Sequence, residues 1–546
     1  MKDELAKVFQ GEIEDSTETI QTYSHDASLF EVRPEMVVFP KNSDDIRALV
    51  KFVNTHKKNN KALAITPRSA GTDMSGGAIG ESIVMDMTRY FNQIGAVSPN
   101  TAQAQPGVFY RDFEPETLKH GALLPTFPAS RELCTIGGMV ANNSGGEMSL
   151  TYGKTLDYVS KLNVVLADGN EYTVRPLHYD ELKKKMAQNN FEGDLYAKVF
   201  ALVDNHYAAI KAAKPHVSKN STGYNLWDIW DRDTKIFDLT KAIVGSQGTL
   251  GVVTDIQFKL VPKPDFTGVL VCFLKRTDQL GSIINTVLKH KPLSFESFDN
   301  YTLNLSIKFF PYFRKNLGWG GLIKLALNLI PDALILLKGI PKLVILIEFS
   351  GHTQDEVNQK IHNLHADLKQ YKMQAIEETE TPEKAWKFRI MRRESFNLLR
   401  KKVKDKHTAP FIDDLVVPPH HLPEFLPRLR VIINKYKLMA TVAGHMGDGN
   451  FHIIPLMRFE DPKEKAKLEP AMREVNELVL RFGGSLSGEH NDGIIRGPWL
   501  EQMYGPKVTR YFKELKHIFD SDNIFNPHKK TDADWDYAMK HVREDF

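Results

Sequence analysis

Two histidines flank a turn-forming sequence in the C-terminal half of the chain. The stretch AGHMGDGNFH, residues 443–452, places His445 and His452 on either side of the pair Asp448-Gly449. An Asp-Gly pair favours a two-residue hairpin turn, because both positions tolerate positive φ. A turn centred on this pair predicts that His445 faces His452 with β-carbons about 5 Å apart, so that both imidazoles can bind one metal ion. A polar hairpin with two hydrogen-bonded histidines is the alternative.

A carboxylate and a further histidine lie in the segment SLSGEHNDG, residues 485–493. Glu489 has the ligand type that would complete a three-residue site for Zn²⁺, and Mn²⁺ or Fe²⁺ also accept this set of donors. His490 is its immediate neighbour. Because neighbours on an extended strand point to opposite sides, these two side chains can meet one ligand only from a loop. Taken alone, the segment is more typical of a surface loop.

Several glycine-rich segments have the composition of phosphate-binding loops. PRSAGTDMSGG, residues 67–77, follows a predicted strand and can turn successive backbone N–H groups toward an anion, with a tight turn as the alternative. GGEMSLTYGKT, residues 145–155, is not a P-loop, because six residues separate Gly146 from Gly153 where four are required. GSQGTLG, residues 245–251, lacks the GxGxxG spacing and precedes a strand, which disfavours a Rossmann dinucleotide site.

Composition limits the class of protein. At 546 residues and 62.0 kDa the chain is too long for one core and predicts two or three domains. The 42% hydrophobic and 25% charged content is that of a globular protein, and a net charge of +3 gives no support for nucleic-acid binding. The two cysteines, Cys134 and Cys272, exclude a disulfide framework and predict a reducing, cytoplasmic location. The N-terminus lacks the apolar region of a signal peptide.

The elements that must position these residues are predicted to be strands and helices, which occur together along the whole chain. Residues 37–68 predict a strand, a helix beginning at Ser43-Asp44-Asp45 and a second strand. Residues 162–174 predict a hairpin that turns at Ala167-Asp168-Gly169-Asn170. Further strands are predicted within 81–87, 251–264, 268–274, 342–351 and 438–444, and helices within 277–290 and 460–483. This mixture predicts an α+β fold rather than one doubly wound sheet.

Residues 301–345 differ from the rest of the chain. They carry six basic residues against one acidic residue, among many Phe, Tyr, Trp and Leu side chains. No charge-free apolar run in them approaches the roughly 20 residues that a membrane-spanning helix needs. Peripheral contact with the anionic inner face of a membrane is one interpretation. A buried helix pair with its lysines pointing outward is the other, and the sequence does not decide between them.

The glycine-rich segments stand in a family-specific order. PRSAGTDMSGG, TIGGMVANNSGG with YGKT, and VGSQGTLGVVT resemble the FAD-binding domain of the vanillyl-alcohol oxidase/p-cresol methylhydroxylase superfamily. GHMGDGNFH, GGSLSGEHNDG and FDSDNIFNP resemble the FAD-linked oxidase cap domain of D-lactate dehydrogenases, D-2-hydroxyglutarate dehydrogenases and the glycolate oxidase flavin subunit. The resemblance covers roughly residues 22–530. It implies an α+β fold in which a two-lobed FAD-binding domain carries a ferredoxin-like substrate cap domain.

The resemblance divides the chain into three parts. An FAD-binding domain is expected at 22–262, and a cap domain that binds substrate is expected at 265–485 with 301–345 as a basic apolar insertion. A C-terminal segment, 486–546, would complete the active site and pack on the FAD domain. The proline-rich VPKPD at 261–265 is the expected boundary between the first two parts.

The resemblance also implies which residues bind FAD. The first loop would hold the pyrophosphate through its backbone, the second would line the ribose, phosphates and isoalloxazine, and the third would support the far side of the flavin. The implied cofactor-binding residues are Arg68, Ser69, Ala70, Gly71, Thr72, Ser75, Gly76, Gly77, Pro128, Thr135, Gly137, Gly138, Asn142, Ser144, Gly145, Gly248, Thr249, Gly251 and Val252. Family members that attach FAD covalently often use a histidine in the first loop. None stands at 67–77, so non-covalent binding is expected.

The chemistry implied by the resemblance combines a metal ion with the flavin. His445, His452 and Glu489 would bind one divalent ion, Zn²⁺ or else Mn²⁺ or Fe²⁺, and leave open positions for substrate. The ion would lower the pKa of the hydroxyl of a 2-hydroxy acid, His490 would take the proton, and a hydride would pass to flavin N5. Arg389, in the family's Trp-x-x-Arg pattern, would bind the substrate carboxylate.

Two departures from the D-2-hydroxyglutarate enzymes bear on the substrate. Ile412 stands where those enzymes carry a lysine, and Ile454 stands where they carry an asparagine. Both changes remove polar groups for a second carboxylate, so we expect a D-lactate dehydrogenase. The alternatives are a D-2-hydroxyglutarate dehydrogenase, a glycolate-type oxidase of the same fold, and a metallohydrolase that would leave the glycine-rich loops unexplained. Electrons are expected to pass to a separate quinone or cytochrome.

Overall fold

The computed structural model describes residues 1–300, 303, 339–379 and 406–544. Within these ranges helices and strands are mixed along the chain, and the strands form five sheets. The predicted α+β class is therefore confirmed. Most of the basic segment 301–345, and the predicted carboxylate ligand Arg389, lie outside the described residues. No helix in the described ranges is both long enough and apolar enough to cross a bilayer.

The first glycine loop follows a strand of a small sheet near the N-terminus. Its strands stand in the order Glu12–Glu14, Met36–Phe39, Ile83–Asp86 and Ile65–Arg68, with the last three parallel. The predicted strand–helix–strand unit is confirmed, because helix Ser43–His56 connects two of these strands and is capped by the Asn42 side chain. The chain then passes from Arg68 directly into residues 69–77.

The second and third glycine loops lie against a five-stranded antiparallel sheet. Its strands stand in the order Ile94–Val97, Thr101–Ala104, Val252–Lys259, Val159–Val165 and Glu171–Val174. The predicted hairpin within 162–174 is confirmed, and Gly169 takes a φ of 74° in its turn. Strand Val252–Lys259 begins where the third loop ends, and helix Ile136–Asn142 forms part of the second loop.

The largest sheet comes from the C-terminal half of the chain. Its antiparallel strands run in the order Ala375–Thr379, Phe266–Leu274, Leu343–Gly351, Ser294–Asp299, Met439–His445, Asn450–Met457 and His407–Thr408, with Leu415–Val416 also paired to Asn450–Met457. The strands predicted within 268–274, 342–351 and 438–444 are therefore confirmed.

The two faces of the large sheet differ, because side chains alternate along each strand. One face shares a single hydrophobic core with four helices, Leu280–Lys289, Gln354–Leu368, Leu422–Lys435 and Leu468–Arg481. The opposite face directs Ser294, Glu296, Glu348, His445 and His452 toward the glycine loops. Polar positions of the strands thereby become one wall of a cavity.

Shorter elements connect these sheets. Among the described residues, the remaining helices are Lys2–Leu5, Thr17–Tyr23, Tyr110–Leu118, Ser149–Tyr152, Thr155–Tyr158, Tyr179–Met186, Phe191–Asn205, Tyr207–Ala212, Thr240–Ile243, Pro462–Lys465, Gly493–Arg496, Leu500–Phe519 and Trp535–Lys540. Two minor sheets pair Ala122–Leu123 with Val261–Pro262, and Ile236–Phe237 with both Leu177–His178 and Trp230–Asp231. Short 3₁₀ turns occur at Leu226–Asp228, Pro419–His421, Met446–Asp448, Gly497–Trp499 and Lys530–Asp532.

The C-terminal segment returns to the N-terminal sheet. Phe525 forms a parallel bridge with Ile65, and the backbone N–H of Asn526 donates to the Ile65 carbonyl at 2.8 Å. The Asn526 side-chain amide donates to the carbonyls of Gly77, at 2.8 Å, and of Gln247, at 2.7 Å. This segment therefore joins the first glycine loop to the third.

Candidate flavin cavity and metal centre

A cavity of about 1060 Å³ lies between the three glycine loops and the polar face of the large sheet. This volume is at the upper end of those found for small-molecule and cofactor sites. The loops contribute residues 67–74, residues around 127–144 and residues around 246–253. The sheet contributes His445, His452 and neighbouring side chains, and the loop after it contributes Glu489 and His490. One cavity therefore holds both groups of residues that the sequence singles out.

Most of the predicted FAD-binding residues line this cavity. They are Arg68, Ser69, Ala70, Gly71, Thr72, Gly77, Pro128, Thr135, Gly137, Gly138, Asn142, Ser144, Gly248, Gly251 and Val252. The other four, Ser75, Gly76, Gly145 and Thr249, lie behind the lining. Gly76, for example, packs against Phe30 and Ile494, and the hydroxyl of Thr249 donates to a loop carbonyl at 2.7 Å. A role in FAD binding stays a prediction for all nineteen.

The first loop has the backbone of an anion-binding nest. Gly71 takes a φ of 65°, which lets consecutive N–H groups turn to the same side. Within the described ranges, no protein acceptor lies at hydrogen-bond distance from the backbone N–H groups of residues 69–72. Donors left open in this way beside a cavity fit the pyrophosphate of a dinucleotide cofactor.

One side-chain carboxylate connects the three glycine loops through hydrogen bonds. Asp73 Oδ2 accepts from the backbone N–H of Ser75 at 2.9 Å and of Gly77 at 2.7 Å. Its Oδ1 accepts from the side-chain amide of Asn142, in the second loop, at 2.7 Å, and lies 3.5 Å from that of Gln247 in the third. The cavity wall is therefore a connected polar structure rather than three separate turns.

Replacing Gly71 by alanine is expected to weaken FAD binding about tenfold. The new β-carbon would lie 2.3 Å from Nη2 of Arg68, and a left-handed backbone costs an L-residue roughly 1–2 kcal/mol. Reconstitution of apoprotein with FAD measures the dissociation constant. Gly121→Ala is the matched control, because Gly121 has a φ of 66° and no atom lies within 4 Å of the point that its β-carbon would occupy. Equal FAD affinity in the two variants would contradict this role of the loop.

The histidine hairpin forms, but its predicted register is wrong. Residues Met446–Asp448 form a 3₁₀ turn that ends at Gly449 with a φ of 66°, so His445 pairs with Asn450 and His452 pairs with Ala443. The register differs by two residues from a turn centred on Asp448-Gly449. A shift of two residues keeps every side chain on its face of the sheet, so both histidines still point into the cavity. Their ring centroids are 5.4 Å apart.

Glu489 lies against both imidazoles. Its Oε1 is 3.3 Å from Nε2 of His445 and 3.2 Å from Nε2 of His452. Bonds of about 2.1 Å in a tetrahedral site place neighbouring ligand atoms roughly 3.4 Å apart, so each imidazole nitrogen lies at the distance from Oε1 that two ligands of one ion would have. The three predicted metal-binding side chains are thus brought together.

Asp414 supports the backbone bend that turns Glu489 and His490 to the same side. Its Oδ2 accepts from the backbone N–H groups of both residues, at 2.8 and 2.7 Å, and from the hydroxyl of Ser487 at 2.5 Å. Its Oδ1 accepts from the Asn450 side chain at 2.9 Å. On an extended strand the two neighbouring side chains would point to opposite sides, and the bend lets them point to the same side.

A second carboxylate, Asp413, orients two imidazoles at once. Its Oδ1 lies 3.3 Å from Nδ1 of His452, and its Oδ2 lies 2.8 Å from Nδ1 of His490. The two rings stack with centroids 5.0 Å apart. Because Nδ1 of His490 is buried against Asp413, Nε2 is the nitrogen left for a ligand in the cavity.

The charges of this cluster are strongly coupled. Burial opposes protonation of His452, but the carboxylates of Asp413 and Glu489 raise its pKa to about 10. Burial likewise disfavours charge on Glu489, yet Lys219 and His445 hold the pKa of its carboxyl well below the usual range. The pKa of Asp413 is also lowered against its burial, by His490 and His452. The cluster therefore keeps its carboxylates ionised.

The donor set fits a divalent ion with two histidine ligands and one carboxylate. Each of the two imidazoles has a carboxylate at its Nδ1, because Nδ1 of His445 lies 2.7 Å from Oε1 of Glu296 and Nδ1 of His452 faces Asp413. Such carboxylate–histidine pairs are the usual outer shell of a metal site. In the described residues, ligand atoms of Asp414, His452, Glu489 and His490 lie within 4.8 Å of one another. Because the oxygens of Asp414 accept the hydrogen bonds described above and His445 contacts Glu489 directly, His445 stays the predicted third ligand.

Several residues of this site were not predicted from the sequence. Glu296, Asp413, Asp414 and Lys219 reach it from segments far from the histidine hairpin, and their spacing carries no ligand pattern. The adjacent pair of aspartates in FIDDLVVPP was the available signal.

The two isoleucines that departed from the family pattern have different surroundings. Ile454 lines the cavity two residues after His452, whereas Ile412 lies in the core on the helix-covered side of the large sheet. Only Ile454 can therefore contact a ligand directly.

Two family models match most of the chain. Residues 34–175 match the FAD binding domain, and residues 263–530 match the C-terminal domain of FAD linked oxidases. These matches place the first two glycine loops in the first of these domains and the His–His–Glu cluster in the second. They also leave the metallohydrolase alternative without support.

Named relatives share this arrangement at low identity. The chain is 27% identical to a D-2-hydroxyglutarate dehydrogenase of Pantoea ananatis, with 98% of this chain and 52% of the relative covered. It is 28% identical to the glycolate oxidase subunit GlcD of Bacillus subtilis, over 97% and 96% of the two chains, and 25% identical to a D-lactate dehydrogenase of Anaerostipes hadrus, over 93% and 92%. The chain spans about half the length of the first of these relatives.

Solved structures share the fold of this chain. The 4-ethylphenol oxidase from Gulosibacter chungangensis superposes with a TM-score of 0.68 at 13% identity, over 98% of this chain and 97% of that one. The two domain matches show that the chain belongs to the FAD-linked oxidases, and the superposition shows a shared fold.

Proposed function

We propose that this chain is an FAD- and metal-dependent dehydrogenase that oxidises a D-2-hydroxy acid, D-lactate, to the 2-oxo acid. The observation that carries this proposal is a His–His–Glu cluster in the same cavity as the FAD loops, with an aspartate-oriented histidine beside it. The names of three relatives, which act on 2-hydroxy acids, agree with this substrate class.

The chain supplies binding, orientation and proton transfer. His445, His452 and Glu489 would hold a divalent ion, and the glycine loops would hold FAD. His490 takes the hydroxyl proton at Nε2, and Asp413 fixes its ring and stabilises the charge that results. When bound, the ion supplies Lewis-acid polarisation of the alcohol and FAD accepts two electrons. Arg389 stays the predicted ligand of the substrate carboxylate.

The surroundings of the cluster favour a small monocarboxylate. The sheet face beyond His452 presents Ile454, Ala443 and Thr441 to the cavity. These contacts support D-lactate over D-2-hydroxyglutarate.

Anaerobic reduction of the bound flavin tests the function. The purified holoenzyme is mixed with D-lactate, L-lactate, glycolate and D-2-hydroxyglutarate, and bleaching of the visible flavin absorption is followed. D-lactate is expected to give the highest kcat/KM, and treatment with a chelator is expected to stop bleaching. A higher kcat/KM for D-2-hydroxyglutarate would replace the proposed substrate, and no bleaching by any 2-hydroxy acid would contradict the function itself.

Replacing Ile454 by asparagine is expected to shift the preference toward D-2-hydroxyglutarate. An amide at this cavity position can donate to a second carboxylate, and a hydrogen bond to a charged group is worth about 1.5–3 kcal/mol, or roughly 10- to 100-fold in the kcat/KM ratio. Steady-state kinetics with both substrates measure that ratio. Ile453→Val is the control, because Ile453 faces the core on the other side of the strand. An unchanged ratio in Ile454→Asn would remove Ile454 from substrate selection.

Other features of the sequence stay predictions. They are the division at 22–262, 265–485 and 486–546, the non-covalent attachment of FAD, and a separate quinone or cytochrome as electron acceptor. Peripheral membrane contact through 301–345 and a cytoplasmic location belong to the same group.

A further inference from the structure

The two oxygens of Glu489 have different partners. Oε1 lies against Nε2 of His445 and of His452, at 3.3 and 3.2 Å. Oε2 accepts a hydrogen bond from Nζ of Lys219 at 3.1 Å, and both side chains are almost completely buried. One oxygen of the carboxylate therefore contacts two imidazoles, and the other contacts the ammonium group of Lys219.

Lys219 is fixed from several sides. Its Nζ donates to the carbonyl of Gly146 at 3.2 Å and lies 3.6 Å from Oδ2 of Asp448. A β-carbon on Gly145 would come within 3.2 Å of Oε2 of Glu489, so the second glycine loop covers this oxygen as well. Because Oε2 is enclosed by the lysine and the loop, rotation of the carboxylate would break these contacts.

We propose that Lys219 is a positioning residue that restricts Glu489 to metal binding through Oε1 alone. This inference rests on the proposed function. A carboxylate that binds an ion with both oxygens occupies two coordination positions, whereas a catalytic site with three protein ligands must keep a position open for substrate. With Oε2 held by an ammonium group, two histidine nitrogens and one oxygen bind the ion, and the remaining position is available to the hydroxyl of the substrate.

Removing the ammonium group is expected to change the coordination of the ion rather than to abolish binding. In Lys219→Met, Oε2 loses its hydrogen bond and becomes a second donor of comparable reach. In Lys219→Gln, an amide N–H donor replaces the ammonium group on a side chain one bond shorter, so a hydrogen bond to Oε2 and the wild-type coordination are expected to persist. A role limited to packing would not distinguish these two variants.

Cobalt substitution tests the inference with a readout other than turnover. The holoenzyme is stripped of metal and loaded with Co²⁺, whose visible absorption is stronger in four-coordinate than in five- or six-coordinate sites. Wild type and Lys219→Gln are expected to show the strong four-coordinate spectrum, and Lys219→Met is expected to lose it. Lys185→Met is the control, because Lys185 forms a partly buried ion pair with Glu192, at 2.7 Å, in a distant helix.

The outcomes separate this inference from the function on which it rests. Failure of the wild type to bind Co²⁺ would overturn the metal site itself. Co²⁺ binding with identical spectra in wild type and Lys219→Met would overturn the role of Lys219 alone. If Lys219→Met does not fold, a crystal structure of Co²⁺-loaded wild type decides, since ligation through both oxygens of Glu489 contradicts the proposal and ligation through Oε1 alone supports it.

Discussion

Replacing His490 by alanine is expected to stop reduction of the flavin by substrate while the protein stays yellow. General base catalysis contributes roughly 10²- to 10⁴-fold, and the reductive rate constant is expected to fall within that range. The structure gives this ring the features of a positioned base. Nδ1 lies 2.8 Å from Oδ2 of Asp413, which is itself fully buried, and the ring borders the cavity. The contacts of the FAD loops do not involve His490, so cofactor content should be unchanged.

Anaerobic stopped-flow reduction by D-lactate measures this rate constant, and the visible spectrum and metal analysis report the occupancy of both cofactors. His420→Ala is the control, because His420 lies on a 3₁₀ turn outside the cavity. A His490→Ala protein that is reduced at the wild-type rate would assign the proton transfer to another group. A colourless protein would mean that His490 acts on cofactor binding instead.

Asp413 links the proposed base to one of the proposed metal ligands. The carboxylate contacts Nδ1 of His452 with one oxygen and Nδ1 of His490 with the other, and the two rings stack. In the proposed mechanism, a proton taken up by His490 would be stabilised by the group that also orients His452, a proposed ligand of the ion. Orientation of the base and polarisation of the substrate are coupled through this one side chain.

Local sequence patterns were sufficient for the elements that carry the site. The apolar periodicity and capping signals of residues 37–68 and the turn residues of 162–174 specify local geometry, and the structure has both units. The glycine segments were recognised because their order is specific to a family. Each of them alone is compatible with an ordinary tight turn.

The hairpin shows where a local rule fails. Asp448-Gly449 suits a two-residue turn, yet the chain inserts a 3₁₀ turn over Met446–Asp448 and uses Gly449 as its left-handed end. Gly449 has the Val417 carbonyl 1.7 Å from where its β-carbon would be, so packing against a neighbouring strand selects this turn. The wrong register does not affect the predicted site, because a shift of two residues leaves both histidines on the same face of the sheet.

The residues that organise the cluster could not be found from spacing. Glu296 comes from the centre of the large sheet, Asp413 and Asp414 from a loop, and Lys219 from the FAD half of the chain. Their roles depend on tertiary contacts between segments separated by up to 270 positions. An outer shell of this kind is set by packing, so a sequence reveals its members only after the fold is known.

Replacing His445 by alanine is expected to remove the metal ion and to abolish turnover while FAD is retained. Loss of an outer-shell partner typically weakens a metal site roughly 10- to 100-fold, so loss of a ligand should cost at least about 100-fold in affinity. In the metal-free protein His452 is protonated below its pKa of about 10, and an ion can bind its Nε2 only after that proton leaves. Metal loading of the wild type at pH 8 is therefore expected to release about one proton, with an affinity that rises roughly tenfold per pH unit up to that pKa.

Calorimetric titration of stripped protein in buffers of different ionisation enthalpy measures both the affinity and the protons released. His352→Ala is the matched control, since this imidazole is 92% exposed and contacts Asp265, away from the cavity. Wild-type metal content and turnover in His445→Ala would contradict the assignment of this ring to the ion and would favour Asp414 as the third ligand. Binding without proton release would place the ion away from His452, because a protonated imidazole has no lone pair to give at that nitrogen.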